Sequence, residues 1–330
     1  MVFVLAFIIF VYINSSRPSG TWTDSLSWGR KHTKMATHST TAGRRLSNQT
    51  IISPYLVAYP HDYYFILNES ARCPSERPYL VLMVPVAPKD RASRDVIRST
   101  WGNETTVLGK TVRLFFMLGL PGINGREQTQ EEIFEESREH HDLLQSDFLD
   151  SYQNLTIKTL MILKWLSTYC SDASYALKAD TDMFVNVRNL VKMLLKAPKK
   201  NYMTGIVAKH GTASRNPKSK WYLPVDVFPG NRFPPYAMGQ AYAFSLDLPG
   251  KLLEAAKHVK AIYIEDAYVG LCMKHLGIRH TEPPSHSLFN LYLRYPQSRC
   301  FYSKIISVIL RSREQIQEIW KNLKKPGPAC

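Results

Sequence analysis

Two acidic pairs in this chain have the residue types and spacing to do chemistry. Asp180 and Asp182 flank Thr181, directly after the apolar run Tyr175-Ala176-Leu177 and before a second apolar run, Met183–Val185. A strand that ends in Asp-x-Asp presents two hard oxygen ligands at the mouth of a sheet. That suits a divalent cation that keeps several waters and bridges phosphate oxygens. The same pattern also occurs as a solvated acidic turn. Glu265 and Asp266 follow the apolar Ile262-Tyr263-Ile264, read as a strand, and open a helical stretch into Leu276. A carboxylate there could take a proton from a hydroxyl. The alternative is an acidic first turn stabilised by the helix macrodipole. If both exits share one sheet edge, a cation on a diphosphate and a free base are together the minimum for group transfer from an activated donor.

The elements that must position these acids are readable from periodicity. Tyr79–Val86 is continuously apolar and predicts a buried, parallel-type strand. Helical spacing follows over Arg91–Trp101, with Arg94 and Arg98 four apart on one face. Thr111–Leu118 reads as a strand and Thr129–His141 as an acidic surface helix. Ser146–Tyr152 holds a short strand, and Leu155–Tyr169 reads as a helix. After the Asp-x-Asp strand comes a helix over about 188–195, then a strand over Tyr202–Val207. Lys209–Pro235 is a long excursion rich in Lys, Asn, Pro and Gly; loops of that length in compact domains are often functional. Small and aromatic residues mix over Tyr236–Ser245, and a helix over Asp247–His258 follows. Alternating strands and helices predict an α/β fold with a mostly parallel sheet flanked by helices. In such sheets ligands bind beyond the carboxyl ends of the strands, where Asp180 and Asp182 stand.

The 330 residues are 45% hydrophobic and 12% aromatic, enough for a sizeable core. The net charge of +15 is spread along the chain without a basic block, zinc-finger or helix-turn-helix pattern. No nucleic-acid partner is expected; a diffuse basic field suits an anionic small molecule or membrane surface. Residues 1–13 are apolar throughout, too short for a full span of about 20 residues. We read them as a truncated signal-anchor; a cleaved signal peptide is the alternative. Residues 14–77 form a stem that becomes partly ordered near its end, and 78–330 form the catalytic domain. Glycosylation sequons begin at Asn14, Asn48, Asn68, Asn103 and Asn154. With the apolar N-terminus they indicate a lumenal chain, where disulfides are permitted.

Seven ordered blocks carry a resemblance. They are Arg94–Gly102, Phe115–Gly119, Glu135-Glu-Ser-Arg138 through Asp147–Thr159, Lys178–Asn186, Lys220-Trp-Tyr-Leu-Pro224, Tyr236–Ser245 and Glu265–Gly270. Together they resemble the β-1,3-galactosyltransferases, inverting glycosyltransferases of the GT-A fold related to the β-1,3-N-acetylglucosaminyltransferases and the Fringe proteins. The resemblance covers about three quarters of the chain. It implies a single-pass type II Golgi membrane protein with its catalytic domain in the lumen. The implied donor is UDP-galactose and the implied acceptor a glycoprotein or glycolipid glycan.

The resemblance also implies roles. Asp182, with Asp180, would hold Mn²⁺, and Asp266 would be the general base. Arg94, Arg98, Lys178, Thr181 and Gly239 would lie at the donor nucleotide. Trp221, Tyr222 and Glu265 would contact the acceptor; burial as a loop anchor is the alternative for the two aromatics. The expected disulfides are Cys272–Cys300 and Cys73–Cys170, with Cys330 left over. The chain departs from the family pattern at Ile309, where relatives commonly carry a His that can serve as a further metal ligand. It also reads Ala237-Met-Gly-Gln240 where galactosyltransferase relatives often have Cys-x-Gly-Thr.

Overall fold

A computed structural model describes residues 55–292 and 297–330. The apolar segment 1–13, most of the expected stem and the sequons at Asn14 and Asn48 lie outside the described residues. The strands are β1 (Phe65–Leu67), β2 (Leu80–Pro85), β3 (Thr106–Val107), β4 (Lys110–Leu120), β5 (Leu143–Leu149), β6 (Tyr175–Ala179), β7 (Met183–Val185), β8 (Met203–Ala208), β9 (Tyr236–Ser245), β10 (Phe289–Asn290) and β11 (Ser307–Ile309). The helices are α1 (Arg72–Glu76), α2 (Arg91–Ser99), α3 (Arg126–His140), α4 (Leu155–Tyr169), α5 (Val187–Leu194), α6 (Leu248–Ala256), α7 (Glu265–His275), α8 (Arg299–Lys304) and α9 (Arg313–Leu323).

The main sheet runs β1-β5-β4-β2-β6-β9-β8, with β3 paired to β4. Its centre, β5-β4-β2-β6, is parallel. The outer pairs β1-β5, β6-β9 and β8-β9 are antiparallel, so the sheet is mixed rather than mostly parallel. The reason lies in the long excursion before β9, which carries no crossover helix and returns the chain alongside β6 in the opposite direction. A small second sheet, β10-β11-β7, stands at the end of β6.

The central strands follow from their sequence. All of β2 from Leu80 to Val84 is buried, and alternate residues feed opposite faces of the sheet. Val81 and Met83 join one core, and Leu80, Leu82 and Val84 join the other, the period of two that a strand dictates. Helix α4 is apolar around most of its circumference because it packs between the sheet and helices α6 and α7. Helix α2 starts at Asp90, whose side chain accepts the Ser93 N–H at 3.2 Å, a standard N-cap arrangement.

The end of the expected stem is integral to the sheet. Strand β1 pairs with β5, and Cys73 of α1 is bonded to Cys170. The second expected bridge is corrected: Cys300 pairs with Cys330, and Cys272 is a buried free thiol. Cys272 lies mid-way along α7 on its core side, where burial pushes its pKa up to about 12. Cys300 lies in α8, where Arg299 donates to the carbonyls of Leu323 at 3.4 Å and Gly327 at 3.2 Å. That gathers the C-terminal tail, and Cys330 with it, against α8. Among the described residues no helix is long and apolar enough to cross a membrane.

Candidate active site

Strand β6 delivers the first acid. Asp180 follows Ala179 at its carboxyl end, and its N–H donates to the Gln240 carbonyl of β9 at 2.9 Å. Thr181 and Asp182 make the turn into β7. The Asp182 carbonyl accepts the Leu310 N–H at 2.8 Å, so the small sheet fixes the far side of the turn.

The second acidic pair reaches the same place by another route. The stretch before it is not a strand: Ile262 makes only an isolated bridge to Leu56. The acids open α7, which packs against β9, the antiparallel neighbour of β6. The Gly239 N–H of β9 donates to Asp266 Oδ2 at 2.9 Å, and the Ala267 N–H donates to Oδ1 at 2.8 Å. A Cβ on Gly239 would lie 3.1 Å from Glu265 Oε2 and 3.4 Å from Asp266 Oδ2. Glycine is what allows the strand to approach both acids.

Lys178 ties the two pairs together. Its side chain is 6% exposed, with Nζ 2.7 Å from Asp180 Oδ1 and 3.6 Å from Glu265 Oε2. It also donates to the Gly239 carbonyl. Burial would push its ammonium pKa down, but Asp180 and then Glu265 outweigh that and hold it above its ordinary value.

Glu265 was expected to contact an acceptor. It is instead 8% exposed and held from inside. Its Oε1 accepts Tyr242 Oη–H at 2.8 Å and Thr159 Oγ1–H at 3.0 Å. Burial, opposed by Lys178, raises its pKa. Asp266 is only half-buried, and burial raises its pKa against the pull of its two backbone N–H donors.

Arg94 and Arg98 are engaged with partners outside these two acidic pairs. Arg94 is buried and donates to Glu136 at 2.7 Å and to the carbonyls of Ala87 and Pro88 at 3.1 and 3.2 Å. Arg98 binds Glu136 at 2.7 Å and Asp142 at 2.8 Å. Their charge is committed to these acids, and their work is to clamp α2, α3 and the loop after β2.

The aromatic candidates divide. Trp221 is 49% exposed. Lys220 Nζ lies 4.6 Å from its ring centroid and 6.0 Å from that of Tyr152. Tyr222 packs edge-on to Tyr55 at 5.2 Å, and its carbonyl accepts Tyr263 Oη–H at 2.7 Å, so it anchors the loop. Sequence reasoning did not single out Tyr152, Tyr236, Tyr242 or Thr159. Burial and then Asp266 raise the pKa of Tyr152 and that of Tyr236, the latter to about 12. All four lie within the blocks that carried the resemblance, which is the signal that could have found them. Of the described sequons, Asn103 is exposed. Asn68 accepts from Trp165 Nε1 at 2.9 Å, and Asn154 donates to the Leu149 carbonyl at 2.8 Å.

Two carboxylates at one strand exit fit a hard divalent cation that also takes water and phosphate oxygens. Asp182 is exposed, and its pKa is raised first by desolvation and then by repulsion from Asp180, a charge that a cation would relieve. Among the described residues no group of three His, Cys, Asp or Glu side chains comes together as a metal cage. Ile309 faces Met183 across β11-β7 and adds no ligand.

The site thus joins an Asp-x-Asp exit of β6 and the acidic first turn of α7 through Lys178, in a mixed α/β sheet. A family model described as galactosyltransferase matches residues 92–284. The chain is 38% identical to Beta-1,3-galactosyltransferase 2 of Homo sapiens over 285 residues, 84% of this chain and 67% of that protein. It is 35% identical to Beta-1,3-galactosyltransferase 1 of Mus musculus over 318 residues, 94% of this chain and 91% of that protein. Among solved structures, the apo WbbM bifunctional glycosyltransferase aligns with a TM-score of 0.41 and 10% identity, covering 74% of this chain and 50% of that one. The chain belongs to the galactosyltransferase family.

Proposed function

We propose that this chain transfers galactose from UDP-galactose to the 3-hydroxyl of an acceptor sugar, forming a β linkage by one inverting displacement. The observation that carries the reading is the Asp266 carboxylate. Two backbone N–H groups orient it, one of them from Gly239, whose carbonyl accepts from the Lys178 that pairs with Asp180. Each of its oxygens accepts one of those bonds and keeps a lone pair. Asp266 takes the proton of the acceptor hydroxyl as that oxygen bonds to the anomeric carbon. The bond from that carbon to the diphosphate breaks, and its electron pair leaves with UDP. A single displacement needs no covalent enzyme nucleophile and inverts α to β.

Asp182 with Asp180 would hold Mn²⁺, which when bound supplies positive charge against the departing diphosphate. Lys178 keeps Asp180 and Glu265 in place. Trp221, with Tyr152 beside it, offers an exposed aromatic face for the acceptor glycan, carried by a glycoprotein or glycolipid. The apolar N-terminus and the sequons support a Golgi membrane protein with a lumenal catalytic domain.

Asp266→Asn tests the reading. Transfer should fall by about 10³-fold or more, while UDP binding stays within about twofold. Equal loss of both would refute the base assignment. A donor panel on the lumenal domain separates galactose from N-acetylglucosamine, the donor of the nearest alternative reaction. Ile309 favours a second reading, a relative that binds glycans without turnover. It would be supported if no donor is consumed in excess Mn²⁺ while acceptor glycans still bind.

A further inference from the structure

Beside Asp182 this chain carries a cation. Strand β11 lies antiparallel to β7, with Ile309 opposite Met183. Ile309 is buried, and the Leu310 N–H is tied to the Asp182 carbonyl at 2.8 Å. Arg311 is therefore the first residue free to leave the sheet. It emerges into an open cavity of about 350 Å³ that Thr181, Asp182, Ser312 and Arg313 also line.

The two arginines are not equivalent. Arg313 is paired with Asp90 at 3.3 Å, and Asp90 is already engaged as the cap of α2. Glu314, at the same rim, is turned to Ser312, whose hydroxyl and then the local backbone hold its carboxyl below the usual range. Arg311 is exposed, and its backbone N–H is held by Gln315 Oε1 at 2.9 Å. Among the described residues its guanidinium has no acidic partner within ion-pair distance. A planar five-donor fork is thus left open on the wall that faces the Asp-x-Asp turn. Paired phosphate oxygens are the ligand such a fork matches best.

We propose that Arg311 binds the diphosphate of the nucleotide donor, giving this chain a protein-borne positive charge where Ile309 withholds a metal ligand. The proposal rests on the donor-transfer reading above. A nucleoside diphosphate lying against Asp182 would place its phosphates in the cavity, with one side toward the cation-binding carboxylates and the other toward Arg311. Affinity for the diphosphate then survives in part without the divalent ion. Arg311 acts on binding and on the charge of the departing diphosphate, and it exchanges no proton.

The test is calorimetric titration of UDP and of uridine into the full chain, with Mn²⁺ and with EDTA. The variants are Arg311→Met and Arg311→Lys. Arg311→Met should weaken UDP binding about tenfold in Mn²⁺ and remove the measurable binding that wild type retains in EDTA. Uridine affinity should not change. Arg311→Lys should recover part of the loss, because it restores the charge without the fork. Arg311 is exposed, so the melting temperature should match wild type. Unchanged UDP affinity in Arg311→Met, or an equal loss for uridine, overturns the proposal and leaves the transferase reading standing. Failure of wild type to bind UDP in Mn²⁺ overturns both.

Discussion

Lys178→Met is the most demanding perturbation of the site. The variant keeps much of the side chain's volume and removes the cation paired with both Asp180 and Glu265. At an effective dielectric of about 20, a charge pair at the 3.6 Å separation of Lys178 and Glu265 is worth about 5 kcal/mol before desolvation. Asp180 is 43% exposed, so its share is screened to about 1 kcal/mol at most. Removing Lys178 also ends the cost of burying its ammonium, which offsets part of the loss. What remains is a buried carboxylate without its partner and a Gly239 carbonyl without its donor, a net cost of about 3–5 kcal/mol. Urea unfolding of the protein measures it. The sign with pH is also fixed. Without Lys178 the Glu265 pKa rises further above its unfolded value, so the folded state binds more protons than the unfolded one. Stability should therefore recover as pH falls from 7 toward about 5, more steeply than in wild type. A variant within about 1 kcal/mol of wild type with an unchanged pH slope would refute the view that Lys178 compensates these acids.

The remaining expectations are narrower. In the proposed displacement Asp266 must be ionised to accept a proton, and burial raises its pKa. The acid limb of kcat/KM should therefore lie above the ordinary aspartate value of about 3.9, with activity lost as pH falls through it; a limb at or below that value would remove burial as the tuning force. The two disulfides close sequence separations of 97 and 30 residues, worth about 4.7 and about 3.7 kcal/mol of chain entropy. Cys170→Ser should then lose more stability than Cys330→Ser, and thiol labelling should find Cys272 alone, and only after unfolding. Labelling of Cys330 in the folded protein would contradict the pairing.

What the sequence made legible follows from the range of each signal. Helix α4 runs over the residues its periodicity predicts, and β2 lies within its apolar run, because local patterning sufficed. The Asp-x-Asp was visible as a strand exit for the same reason. The partnerships were not visible. Arg94 lies 42 residues from Glu136, and Thr159 lies 106 from Glu265. No local pattern encodes contacts of that kind. Five scattered cysteines carried no pairing code, so a core-facing thiol was taken for a bridge. The parallel sheet was over-read because alternating strands and helices predict crossovers, whereas β9 returns from a loop. Ile262–Ile264 was apolar enough to read as a strand, yet its one β-bridge, Ile262 to Leu56, is isolated.

The division between Glu265 and Asp266 is the least local feature of all. Adjacent residues in a helix's first turn point about 100° apart. Only the packing of α7 on β9 decides which one faces inward. Glu265 turns to Tyr242, Thr159 and Lys178, which fix it as a buried strut. Asp266 turns to the rim, where backbone N–H groups orient it and no described side-chain hydrogen bond or ion pair holds it. The burial that raises its pKa comes from the same packing that leaves its remaining lone pairs free. Gly239 makes both outcomes compatible. Its missing side chain lets one strand residue donate its N–H to the outer acid while its carbonyl accepts from the lysine that holds the inner one. A Cβ there would meet both carboxylates, so the two roles of one acidic pair depend on a residue with no side-chain chemistry of its own.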